Sequence, residues 1–171
     1  LMLLSIVPAV IVAVVIAIMS INTSMTNISM EVEENLHSVA LSLEEMADFE
    51  DLASNQHILD KFKKDLDIDT TLFVGDVREV TTVNGAVGTK ADPSIYAKVK
   101  AGENYFSSHA NVNGEQYFAY YIPVYGADGN FIGMSFAGKP TKTMNAMVID
   151  LVVNTLIMAS VILAVVVVLI I

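Results

Sequence analysis

The sequence has no cysteine and no tryptophan, and its 171 residues include one arginine, Arg78. Without cysteine there is no disulfide framework, no thiol nucleophile and no Cys-ligated zinc. The three histidines, His37, His57 and His109, lie far apart, and no H-E-x-x-H occurs. No G-x-S-x-G turn and no glycine loop suited to cradling phosphate is present. "DLDIDTTLFVGD" places Asp65, Asp67 and Asp69 at alternating positions, as a calcium loop would. Its sixth position is Thr70 where that loop needs glycine, and Asp76 stands where a bidentate Glu belongs. No catalytic set, metal site or cofactor is therefore expected, and the chain does not read as an enzyme.

Charge is also missing, but only at the ends. Leu1 to Ile21 and Leu151 to Ile171 contain no charged residue. At about 1.5 Å per helical residue, each run covers roughly 30 Å, the thickness of a bilayer's hydrocarbon core. Two transmembrane helices are expected, at 1–21 and 151–171, the second cut short by the end of the sequence. The chain opens on Leu and stops inside an apolar run, as a piece of a longer protein would. All 19 acidic and 9 basic residues fall between the runs, giving a net charge of −10. That excess disfavours nucleic acid as a partner. The segment 22–150 is expected on the outer side of a cell membrane, as one extracytoplasmic domain.

Within that segment the first helix continues without Gly or Pro. Met25, Ile28, Val32, Leu36, Val39, Leu43 and Met46 recur at spacings of three and four, one apolar stripe of a long helix. Such a stripe serves its own domain or a subunit interface. "NQHILDKFKKD" reads as a short helix, with Lys61, Lys63 and Lys64 on a solvated face. "TTLFVGD" and "REVTTV" are rich in β-branched residues and read as strands. "DPSIYAKVKAG" reads as a helix with Asp92 as N-cap, Pro93 in its first turn and Gly102 ending it. Three further strands follow, joined by Asn113-Gly114 and by "GADG", the dipeptides that favour hairpins. The expected fold class is α+β, a long N-terminal helix and an antiparallel sheet of about five strands between two spans.

Arg78, Lys90 and Lys139 lie on or beside this sheet. A guanidinium fork matches the two oxygens of a carboxylate, so these cations are candidates for gripping a small organic acid. Alternation in "NFIGMSFAGK" puts Phe131, Gly133, Ser135, Ala137 and Lys139 on one face and Ile132, Met134 and Phe136 on the other. The small-residue face is expected to hold the ligand, and the large apolar one to pack on a helix. Tyr105, Tyr117 and Tyr121 supply hydroxyls on neighbouring strands. Arg78, Lys90, Lys139, Tyr105, Tyr117, Tyr121 and Ser135 form the expected ligand-binding set.

The blocks "TLFVGDVREVTTV", "GTKA" (Gly88 to Ala91), "GENYF" (Gly102 to Phe106) and "YFAYYIPVYGADGNFIGMSFAGKP" (Tyr117 to Pro140), between two spans, resemble the single Cache sensor domains of bacterial transmembrane receptors. The likeness covers residues 22–150 and points toward methyl-accepting chemotaxis proteins. It implies a PAS-like five-stranded sheet, a ligand pocket on one face, a homodimer, and a signal passed to the second span. The R-x-W-Y pattern of amino-acid-binding Cache sensors is absent. A histidine kinase or cyclase would carry the same sensor domain. A protein-interaction module without a small-molecule pocket is the reading of another class, and it requires Arg78 salt-bridged at the surface.

Overall fold

A computed structural model describes the backbone of residues 2–170, together with the side chains of 11–143 (except 13 and 17) and of 149–168 (except 163, 166 and 167). Two compact units emerge, residues 1–30 with 144–171, and residues 31–143. The first is helical, from the start of α1 (Met2–Met46) and most of α4 (Thr141–Ile170). Most of its described apolar side chains, among them Ile11, Val14, Ile16, Ile157 and Ile162, are exposed. Among the described residues no helix is long and apolar enough to cross a membrane. The two expected spans fall partly outside the described residues.

The second unit holds the rest: α2 (Gln56–Leu66), β1 (Asp69–Val74), β2 (Val77–Thr81), α3 (Pro93–Lys100), β3 (Tyr105–Val112), β4 (Glu115–Tyr125) and β5 (Phe131–Pro140). The five strands form one sheet in the order β2-β1-β5-β4-β3, with every neighbouring pair antiparallel. Local chemistry sets most element ends. Asp92 caps α3 by accepting from the Ser94 amide, with proline in the first turn. Asn113 and Gly114 both take positive φ, 50° and 86°, as a two-residue hairpin with right-handed strand twist requires.

The apolar stripe of α1 lands on the sheet. Leu36, Val39 and Ala40 pack with Ile68, Ile122 and Ala137, and Leu43 packs with Leu59, Leu72 and Val80. Each fully buried aliphatic side chain contributes roughly 1.5–3 kcal/mol. The stripe's middle therefore serves its own domain, while Met46 at its end stays exposed.

The expected facing of β5 is inverted. Ser135 and Ala137 turn toward α1, where the Ser135 hydroxyl donates to the Ala40 carbonyl at 2.8 Å. Met134 and Phe136 turn the other way and join Phe73, Tyr117 and Tyr121. Small residues let a helix backbone approach the strand closely enough for that hydrogen bond. Large ones fill the thicker layer beneath α3 and the segment 82–92. Phe131, at the start of the strand, packs against this same cluster, edge-on to Tyr96 and Tyr125, rather than on the α1 side with Ser135.

Candidate functional site

The face of the sheet away from α1 carries the one arginine. In β2 a regular alternation would put Arg78 and Val80 on the same side. Instead Leu72 pairs with Val80 and Phe73 with Arg78, leaving Glu79 as an extra residue in the strand. This bulge re-aims the chain. Val80 keeps to the α1 side with Leu72, Glu79 is exposed, and Arg78 turns inward beside Phe73.

Arg78 is 2% exposed, the largest of the fully buried side chains. Its Nη1 donates to Thr89 Oγ1 at 2.9 Å and to the Lys90 carbonyl at 3.0 Å. The Tyr121 hydroxyl lies near enough to the guanidinium for each to act on the other's proton affinity. The Phe73 ring lies 4.9 Å from Cζ, close enough for a cation–π contact. Nε is buried and has no partner. Among the described residues no carboxylate forms an ion pair with Arg78. Burial holds its pKa below the usual arginine value, but a guanidinium so placed is still charged. A buried cation without a counter-charge costs several kcal/mol of desolvation, and this one is offset only by neutral acceptors and a ring.

The backbone around Arg78 is doubly paired. Its amide donates to the Thr89 carbonyl at 2.9 Å, and the Gly88 amide donates to its own carbonyl at 2.7 Å. The segment 82–92 thus returns along β2 and closes over the guanidinium. Gly85 and Gly88 have φ of 67° and 77°, which lets this segment double back. Its Val83, Ala86 and Ala91, with Ile95 and Val99 of α3, roof a floor formed by Phe73, Ala119, Tyr121, Met134 and Phe136. Tyr121 and Phe136 meet with centroids 5.1 Å apart, and burial pushes the Tyr121 hydroxyl up to about 12.

The expected set divides. Arg78 and Tyr121 come together, with Tyr105 opposite Tyr121 on β3 and packed against the same cluster. Lys90 contributes its carbonyl, while its exposed Nζ pairs with Asp76 at 2.9 Å. Ser135 belongs to the α1 side. Lys139 reaches the Leu66 carbonyl at 3.3 Å, at the end of α2. Neither joins Arg78. Tyr117 shares the aromatic face, but its hydroxyl donates to Asp69 at 3.2 Å, and burial raises its pKa far above the ordinary value. Asp69 is itself buried and also accepts from Thr82 Oγ1 at 3.0 Å and Lys63 Nζ at 3.3 Å. Lys63 is thus an ion-pair partner rather than a solvated lysine. A cleft of about 370 Å³ adjoins this network, lined also by Glu115 and Lys142, which pair with each other.

Sequence reasoning missed Thr89 and Phe73 at the arginine. Thr89 and Lys90 sit together in the "GTKA" block, yet only the lysine's charge drew notice. Among the described residues no group of three or more His, Asp or Glu side chains stands together as a metal site would.

The fold is shared with solved sensor domains. The chain is similar to the sensor domain of DcuS from E. coli, with a TM-score of 0.53 and 16% identity, covering 75% of this chain and 96% of that one. It is similar to the sensor domain of the V. cholerae histidine kinase DctB, with a TM-score of 0.53 and 14% identity over 72% of this chain and 53% of that one. The ligand-binding domain of the Pseudomonas aeruginosa amino acid chemoreceptor PctC, in complex with GABA, matches with a TM-score of 0.50 and 18% identity, over 70% of this chain and 59% of that one. At such identities the likeness is one of fold. No curated protein matches the chain. The model of the family described as single Cache domain 3 matches residues 50–151.

Proposed function

The chain belongs to the single Cache domain family, and from that premise we propose that residues 22–150 are the extracytoplasmic sensing region of a bacterial transmembrane receptor. Spans at 1–21 and 151–171 hold it in the cell membrane, and a small organic anion binds at Arg78. The receptor is a chemotaxis transducer of the methyl-accepting kind. Two copies pair along the outward side of α1, where Leu41 and Met46 remain exposed.

The observation that carries this reading is a buried guanidinium with an unpartnered Nε and, among the described residues, no acidic neighbour within ion-pair distance. In a domain with a net charge of −10, acidic residues were abundant partners for it. A site that keeps its cation free of them gains most when an anion arrives from outside. Among the structural neighbours, the PctC domain holds GABA, which carries a carboxylate. An interaction module would leave Arg78 exposed or salt-bridged, and it is neither.

The test is thermal unfolding of the chain in detergent against a panel of organic acids. Saturation at about one hundred times the dissociation constant adds about 2.7 kcal/mol of stability. Arg78→Met abolishes the shift. It changes the stability of the ligand-free protein by no more than about 1–2 kcal/mol, because relief of a buried unpaired charge is set against a shorter side chain and the lost hydrogen bonds to Thr89 and Lys90. A panel that moves neither protein removes the proposal.

A further inference from the structure

The cleft beside Asp69 lies at the end of the sheet where β1 and β4 begin and β2, β3 and β5 finish, and the first turn of α4 forms part of its lining. We propose that this cleft is a second ligand site, apart from Arg78, and that it takes a neutral polyhydroxy compound of about monosaccharide size. Its volume of about 370 Å³ falls within the range of small-molecule sites, roughly 300–1,000 Å³. Arg78 is not among the residues that line it.

The floor of the cleft is fixed by its own hydrogen bonds. The Asp69 side chain is only 5% exposed. Thr82 Oγ1 accepts from the Thr70 amide and donates to Asp69 Oδ1, both at 3.0 Å, so its proton has one place to go. Tyr117 donates to Oδ2 at 3.2 Å, and burial holds its proton well past the ordinary tyrosine range. A buried carboxylate is costly unless it is supported in this way. With that support in place, the floor needs no ordering when a ligand arrives.

The charges exclude simple ions. Lys63 Nζ is paired with Asp67 at 3.1 Å and Asp69 at 3.3 Å, and Lys142 is paired with Glu115. Every charged side chain of the lining is thus already matched, and each group of charges carries both signs. An anion drawn to Lys63 meets Asp67 and Asp69 beside it, and a cation drawn to Glu115 meets Lys142. Neither gains what an unpaired counter-charge would give.

What the paired groups keep is hydrogen-bonding capacity of both kinds. Lys63 has three N–H donors and two carboxylate partners. Asn113 donates to the Asn84 carbonyl at 3.1 Å, which leaves its side-chain oxygen to accept. Asn84 adds an exposed side-chain amide, and Asp67 and Glu115 each have an oxygen outside their ion pairs. A hydroxyl donates once and accepts twice, so neighbouring hydroxyls on one carbon skeleton can answer such adjacent donors and acceptors. Val83, Val112 and Pro140 give the same lining an apolar part, against which the skeleton itself can rest.

Calorimetric titration of the full chain, in a detergent without a sugar headgroup, tests this with D-glucose, myo-inositol, putrescine and inorganic phosphate. At least one of the two neutral compounds is expected to bind with a dissociation constant of about 1 mM or tighter, and both ions about tenfold more weakly or worse. Asn84→Ala removes an exposed side chain and keeps the backbone carbonyl that Asn113 uses. It should weaken the neutral compound's binding about threefold to tenfold while thermal unfolding stays unchanged. Arg78→Met should leave that binding as in the wild type. No heat from either neutral compound up to about 50 mM overturns the proposal. So does tighter binding of putrescine or phosphate that Asn84→Ala weakens, or neutral-compound binding that is indifferent to Asn84→Ala or lost in Arg78→Met. The anion site at Arg78 stands or falls separately, on its own panel of acids.

Discussion

The two faces of one sheet are built to different standards. Against α1, the Ser135 hydroxyl finds the Ala40 carbonyl, one hydroxyl, Thr70 Oγ1, is left without a partner, and the rest is aliphatic packing by Leu36, Val39, Leu43, Leu59 and Leu72. Against α3 and the segment 82–92, the same strands present rings, hydroxyls and a buried cation with an idle donor. The first face is what a fold needs in order to exist. The second gives up stability to hold a buried charge, and on that charge the proposed anion site rests. The contrast is testable, because substitutions on the two faces should separate stability from ligand response.

The largest effect is expected on the α1 side. Leu43→Ala removes a side chain with 0% exposure, wedged between Leu59, Leu72 and Val80, and should cost about 2–5 kcal/mol in urea denaturation. The dissociation constant of an acid bound at Arg78 should not change, because no atom of Leu43 reaches the other face. A large loss of affinity at preserved fold would mean that the faces are not independent.

The next effect belongs to the face beneath α3 and depends on pH. Burial pushes the Tyr121 hydroxyl up to about 12, against an ordinary tyrosine value of 10.0. The unfolded chain gives up this proton near pH 10, while the folded chain keeps it longer. The resulting stability is complete below pH 10 and is lost as pH rises from 10 through 12, amounting to about 2–3 kcal/mol for two pKa units. Tyr121→Phe has no proton to hold. The stability gap between wild type and variant should therefore narrow over that interval by up to this amount, and a gap that stays constant from pH 9 to 12 contradicts the assignment.

How far the sequence revealed all this depended on the range of the interactions involved. The stripe Leu36, Val39, Leu43, the cap at Asp92 with Pro93, and the Asn113-Gly114 hairpin are local patterns, and each stands where its residues implied. The two classes of residue on β5 were also visible as small and large. Which layer each would meet was not, because a small residue can either make room for a ligand or admit a helix backbone, and here Ser135 and Ala137 do the latter. Arg78 stood out by being alone, yet its direction comes from the Glu79 bulge, which no strand alternation announces. Its emptiest property, a buried Nε without a partner, is decided by the return of Thr89 and Lys90 along β2 and by acidic residues held elsewhere. Asp76 is kept by Lys90, and Asp69 by Lys63, Thr82 and Tyr117. Those are long-range choices, which periodicity does not record.

The smallest predicted effect is the one that discriminates most directly between the two faces. By strand alternation alone, Ser135 falls on the face expected to hold the ligand. In the fold its hydroxyl is buried and donates at 2.8 Å to a carbonyl of α1. Ser135→Ala deletes that donor without orphaning an acceptor, since the Ala40 carbonyl sits within α1 and remains open to its helical amide. The expected cost is therefore that of one neutral hydrogen bond, about 0.5–1.5 kcal/mol, with no cavity to add to it. Binding of a carboxylate at Arg78 should be unaltered within error. Should the variant instead keep its stability and lose its ligand, the anion would be sitting on the α1 side of β5, and Arg78 would be a cost of folding with no return.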